Sequence, residues 1–177
     1  MHSPSNIYCF DTSAFVTMHR FYPRNRMPSI WNGLDDLVKD QSIFTHDIVY
    51  KEIVSESGAK DDLEKWLERY KRICRPISQR QLEIVPGIVK KYPKLIDSES
   101  KKEQADPWLI ALLVELMEGA GIFGGNSDYV LVSMESQTSE QKIPAVCKDY
   151  SVRHMTLFDF FDANDWKIGI VSHQKQL

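Results

Sequence analysis

Residues 6–15 read NIYCFDTSAF, an apolar run that ends in Asp11 and is followed at once by Thr12 and Ser13. An unbroken apolar run fits a short strand buried on both faces. The next residues, 12–21, place Ala14, Phe15 and Met18 at helical spacing, with Thr12 or Ser13 available as the cap. A buried strand that hands a carboxylate to a helix start decides the fold, because open parallel sheets hold their ligands outside the carboxyl ends of their strands.

The rest of the chain repeats that alternation. Residues 22–40 open on proline punctuation and become a helix through Ile30, Trp31, Leu34, Leu37 and Val38, and a strand follows around Ile43 and Phe44. Ile48, Val49, Ile53 and Val54 mark a further helix, and DDLEKWLERYKRI puts Leu63, Trp66, Leu67 and Tyr70 on one face. SQRQLEIVPGIVKKYPKLI predicts a helix interrupted at Pro86-Gly87, and DSESKKEQ a loop. ADPWLIALLVELMEGA, apolar nearly all round, predicts a buried helix; YVLVSM a strand, IPAVCKDY a short helix, SVRHM a strand and TLFDFFDAN a closing helix. Strands alternating with helices predict an α/β fold with a mainly parallel sheet covered on both faces, in one domain over 1–177.

Composition excludes several classes. With 42% hydrophobic and 27% charged residues the chain is that of a globular protein, and no window approaches a membrane span. MHSPSN lacks the basic start and apolar stretch of a secretion signal, so a cytoplasmic protein is expected. Three cysteines, Cys9, Cys74 and Cys147, are widely spaced and read as buried hydrophobes, and the five histidines are scattered. A net charge of −3 gives no global attraction for nucleic acid, so a polyanionic substrate requires a metal or a local basic surface.

Four carboxylates fall at suggestive places. Asp11 ends the first strand, Glu52 lies in the helix after the second, Asp106 opens the buried helix and Glu135 follows YVLVSM. Each has a bland reading: Asp11 and Asp106 as helix-start residues, Glu52 as a solvated helix residue, Glu135 as a loop residue. Gathered at one edge they would repel one another unless a cation neutralised them or a proton remained bound. Mg2+ or Mn2+ suits such an all-oxygen set, generating a nucleophile and offsetting charge on a phosphodiester. Other phosphoryl-transfer folds fit less well. The haloacid-dehalogenase pattern wants a second aspartate where Ser13 stands, a receiver domain wants paired early acids and a well-placed late lysine, and no P-loop is present.

YCFDTSAF, IVYKEI, ADPWLIALL and YVLVSMES, in this order, resemble the PIN-domain ribonucleases. FYPRNRMPSIW, Trp66, the ADPW stretch and KIPAVCKDYSVRHMTLFDFF resemble more narrowly a PIN-like subfamily of uncharacterised function. The resemblance implies a three-layer α/β/α sandwich on a mainly parallel sheet and Mg2+- or Mn2+-dependent hydrolysis of RNA. By it, Asp11, Glu52 and Asp106 match the first three acids, Ser13 the hydroxyl that supports the first, and Glu135 the fourth, with Asp128 and Glu140 as substitutes. Many PIN proteins are VapC-like toxins, so an antitoxin protein and a homodimer are implied partners. Arg20, Arg24 and Arg26 in HRFYPRNR, and the basic run ERYKRICR, are the candidate RNA contacts. A catalytically silent PIN-like module that binds a protein or RNA is the competing expectation.

Overall fold

Burial of β1 (Asn6–Phe10) between two parallel neighbours sets the architecture. The structure, a computed structural model, describes residues 6–56, 58–97, 99, 103–123, 128–135 and 140–167. Most of MHSPSN, and residues 98 and 100–102 of the expected loop, lie outside the described residues. After β1 come α1 (Thr12–Phe21), α2 (Pro28–Lys39), β2 (Ile43–His46), α3 (Asp47–Ile53), α4 (Asp62–Arg69), β3 (Cys74–Arg75) and α5 (Gln79–Lys91). They are followed by α6 (Asp106–Phe123), β4 (Asp128–Val132), α7 (Ile143–Asp149), β5 (Arg153–Met155) and α8 (Leu157–Ala163). The strand order is β3-β2-β1-β4-β5 and every pairing is parallel, with Tyr8 opposite Ile43 on one side and Val130 on the other. Helices cover both faces, which is the expected three-layer α/β/α arrangement.

Alternation along β1 explains the two layers. Tyr8 and Phe10 meet Phe160 of α8 edge-on, with ring centroids 4.8 and 4.9 Å apart, and Phe10 also packs on Phe15 of α1 at 5.1 Å. Cys9 points to the other face and is fully buried. There α6 runs through the interior, with Leu109, Ile110, Ala111 and Leu113 wholly inaccessible. At Gly33 a Cβ would stand 2.5 Å from the Trp166 ring, itself seated on Phe160 and Phe161, so α2 can approach the chain's end only with glycine there.

Three local features depart from the sequence reading. β3 is a two-residue edge strand, too short to show any periodicity. The expected break at Pro86-Gly87 does not occur, since α5 continues through Pro86. The carbonyl of Leu82, which loses its helical donor to the proline ring, belongs to a residue 49% exposed, so water can satisfy it. The cap of α1 is Asp11, as its helix-start reading had it, and not Thr12 or Ser13; its side chain accepts from the Ser13 N–H.

Two acids, half-buried Asp35 and buried Glu64, lock the helical layer beside β2. Asp35 accepts from Trp66 Nε1 at 2.7 Å and Arg24 Nη2 at 2.9 Å, tying the turn before α2 to α4. Glu64 forms a capping box with Asp61 and accepts from the Ser55 N–H (2.7 Å) and Oγ (2.6 Å), closing the segment between α3 and α4. The Ser55 hydroxyl and N–H, then the Asp61 N–H, hold the Glu64 carboxyl down to about 2. A depressed folded pKa contributes stability above the unfolded value of about 4.3 that is lost as pH falls through the folded one. Glu64→Gln should therefore lower the melting temperature at pH 7, with the difference from wild type shrinking as pH drops from about 4 toward 2. Thermal melts across that range check it, and a constant difference would remove Glu64 from the acid response.

Candidate active site

Where β1 stops, the Asp11 N–H still donates to Val132 O of β4 at 3.0 Å, while its side chain turns into the cap of α1. Oδ2 of Asp11 accepts from the Ser13 N–H at 3.0 Å and from Ser13 Oγ at 2.5 Å. The same Ser13 oxygen accepts the Met134 N–H at 2.9 Å, so one hydroxyl joins the end of β1 to the segment after β4. Asp11 is 3% exposed. Ser133, also buried, meets His154 Nε2 of β5 at 2.9 Å and accepts the Glu135 N–H at 3.4 Å.

Glu52 reaches the same edge from α3. One of its oxygens accepts from Thr12 Oγ1 and the other from the Ala105 N–H at 2.8 Å, immediately before Asp106. His46 orients that helix: its Nδ1 accepts the Ile48 N–H at 3.1 Å, which leaves the proton on Nε2, 3.0 Å from Gln81 Oε1. Gln81 and Ser78 donate in turn to Glu115 of α6 at 2.7 and 2.8 Å, and the His46 ring stacks on Trp108 with centroids 5.9 Å apart. A buried polar chain thus sets α3 against α6, and with them Glu52 against Asp106. Glu135 accepts the Ile143 N–H at the start of α7 (3.0 Å) and lies 3.5 Å from Lys142 Nζ.

The acids sense one another. Burial raises the Asp11 carboxyl to about 6, against hydrogen bonds from Ser13 and Thr12 and with the Glu52 charge raising it further. Asp106 is pushed up to about 8, first by burial and then by the charges of Asp11, Glu135 and Glu52, with Lys142 opposing. The Cys147 thiol under α7 feels Asp106, Asp11 and Glu135 as well, and burial pushes it far above its usual range.

All four sequence-derived acids, with Ser13 in support, therefore come to the carboxyl edge of the sheet. As placed, however, no three His, Cys, Asp or Glu side chains among the described residues lie close enough to share one ion. The reason is visible in the bonds: Glu52 holds Thr12 and Ala105, and Glu135 holds Ile143 and Lys142. Of the substitutes, Asp128 opens β4 at the opposite edge and pairs with Arg153 at 2.9 Å, and Glu140 is exposed. Arg20 and Arg26 are exposed near the end of α1 and in the turn after it. Arg24, paired with Asp35, shares a surface cavity of about 320 Å³ with Lys65 and Arg69. Thr12 entered the sequence reading only as a possible helix cap, and Lys142 not as a site residue. Thr12's position next to Asp11 was the available signal, and Lys142 had none beyond preceding a proline-marked helix start.

The sheet order, with helices on both faces, gives a PIN-like α/β/α fold. The chain belongs to the family described as Domain of unknown function (DUF4411), which matches residues 8–168. Among solved structures it is similar to a chain of VapBC2 from Rickettsia felis, crystallised bound to a DNA fragment from the promoter. The two share 17% identity at a TM-score of 0.50, over 85% of this chain and 98% of that one. No curated protein matches the sequence.

Raised carboxyl pKa values have the opposite sign to Glu64. A group whose folded pKa is elevated favours the folded state while protonated, and that advantage is lost as pH rises from the unfolded value of about 3.9 to the folded one. In chelator, the melting temperature should fall between about pH 5 and 8, and Asp106→Asn should flatten that fall and raise the value at pH 8 by several degrees. Melts of the two proteins across this range decide the point; parallel curves would show that Asp106 ionises freely.

Proposed function

We propose that this protein is a metal-dependent endoribonuclease that hydrolyses RNA phosphodiesters at the Asp11–Asp106 edge. The observation that carries the reading is the pair itself: two carboxyls at the carboxyl edge of the parallel sheet, Asp11 at the end of β1 and Asp106 at the start of α6, both pushed upward by burial and by neighbouring carboxylates. An arrangement that is unfavourable when ionised becomes favourable when a cation enters it. The donor set is all oxygen, and Mg2+ or Mn2+ is commonly held by one or two carboxylates, waters and substrate phosphate, which Asp11 and Asp106 fit without a third carboxylate. When bound, the ion would supply a nucleophile at neutral pH and offset charge on the scissile phosphate.

The chain's own groups prepare that site. Ser13 holds one oxygen of Asp11 and leaves Oδ1 outside its bonds. Glu52 fixes the backbone before Asp106 and adds negative charge to it. Glu135 anchors the start of α7, and Lys142 limits the total charge. Glu52 and Glu135, whose charges reach Asp106, would enter the ion's shell only by exchanging their present partners. The likeness to a VapBC2 chain supports a toxin reading with an antitoxin-like protein as partner, and a second copy of the chain as homodimer mate is a further part of the proposal.

The test is an assay on mixed cellular RNA with Mn2+, against wild type, Asp11→Asn and Glu135→Gln, with chelator controls. Wild type should cut only with the ion. Glu135→Gln should lose on the order of 10–100-fold, the range seen for residues that orient a metal's ligands, and Asp11→Asn more. Equal cutting by wild type and Asp11→Asn would place the activity elsewhere; no cutting by any would leave a silent binding module as the reading.

A further inference from the structure

We infer a second, basic site that binds the phosphates of single-stranded nucleic acid, in the cavity where the end of α2 meets the Lys71–Ile73 turn and β3. The cavity, of about 350 Å³, is lined by Lys39, Gln41, Phe44, Arg72 and Arg75 among others, and no carboxylate lines it. Three cations from two stretches, the end of α2 and residues 72–75, converge on it in a chain whose net charge is −3.

Aromatic rings rather than carboxylates lie against the two arginines, unlike three others. Arg24, Arg80 and Arg153 each end on a carboxylate, at 2.9, 2.8 and 2.9 Å. Arg75 instead lies over the Phe44 ring at 6.0 Å, and Arg72 over Tyr70 at 5.6 Å. Among the described residues neither forms an ion pair. A guanidinium placed by an aromatic face keeps its donors for a ligand, and its planar fork suits two phosphate oxygens. Lys39 is shared with Asp36 at 2.6 Å, so the arginines are the anchors. Gln41, at the rim, holds a left-handed backbone (φ 57°) that glycine or asparagine would adopt more readily.

Position adds to chemistry. Arg75 is in register with His46, the last residue of β2, whereas Lys39 and Gln41 precede that strand. The cavity therefore extends along the sheet's flank up to the level of the carboxyl edge, where the acids lie. Polyanion binding requires local positive charge that the acidic edge lacks. The choice of nucleic acid as the ligand rests on the ribonuclease reading; the site itself acts without the ion.

The experiment is binding of a fluorescent, unstructured RNA oligonucleotide in chelator across a salt series. The proteins are wild type, Arg72→Gln/Arg75→Gln, and Lys65→Gln/Arg69→Gln from the other cavity. Both arginines of the first pair are exposed, and unchanged melting temperatures confirm folding. The Arg72/Arg75 variant should bind at least tenfold more weakly and lose about 1.4 from the slope of log K against log salt, two contacts at about 0.7 each, while the control pair keeps the slope. Unchanged slope and affinity, or no binding by wild type, would overturn the site. Self-association of the Arg72/Arg75 variant with unchanged RNA binding would also overturn it, by assigning the arginines to guarding the β3 edge. Displacement of RNA by polyglutamate as readily as by polyphosphate would overturn the nucleic-acid assignment. Arginine-dependent binding without cleavage in Mn2+ would support the site and defeat the ribonuclease reading.

Discussion

The Ser13 hydroxyl is the joint on which the carboxyl edge depends. It donates to Asp11 and accepts from the Met134 N–H, so the ends of the two central strands are fixed relative to each other by one oxygen. Neighbouring backbone bonds reinforce it: Asp11 to Val132 and Ser133 to Met155 extend the ladder just past the strands. A carboxylate at the end of a buried strand needs donors if it is to remain charged, and a helix N-terminus with an adjacent hydroxyl provides them. The cap reading and the site reading of Asp11 are therefore compatible, since capping is what aims and partly stabilises the group.

Compensation at this edge is incomplete. Glu64, elsewhere in the fold, accepts three hydrogen bonds and is strongly acidic, whereas Asp11 and Asp106 stay elevated despite Ser13 and Lys142. Burial raises all three carboxyls, and the donors around each decide the net direction. Uncompensated acids are costly to fold around, and their concentration at one edge separates that edge from the merely structural acids.

Most of the fold was legible because its signals are periodic or continuous. The apolar run before Asp11, the spacing of Ile30, Trp31 and Leu34, and the all-round apolar face of α6 each specify an element. β3 was not legible, since Cys74 and Arg75 form a strand only because β2 offers an edge. Nor was the continuity of α5, since Pro86 is tolerated by the solvation of a carbonyl one turn away. For the site, the strand ends revealed which acids gather, while their bonding was hidden. That Glu52 would hold Thr12 and Ala105, or that His46, Gln81 and Glu115 would link α3 to α6, depends on contacts between residues far apart in the chain. ERYKRICR read as a single basic run, but the turn at Lys71–Ile73 sends Arg69 to one cavity and Arg72 and Arg75 to another.

The sheet order has a consequence for biosynthesis. β1 is made first and its partner β4 only after the whole helical excursion between them, and the Ser13–Met134 bond spans 121 residues. Closing so long a loop precedes any gain from the contact, and chains usually acquire such pairings late. Until residue 132 has been added, Asp11 therefore stands on a strand that can pair only with β2, without its β4 neighbour. A nascent polypeptide that has not yet incorporated Met134 has no assembled edge, whatever that edge does once formed.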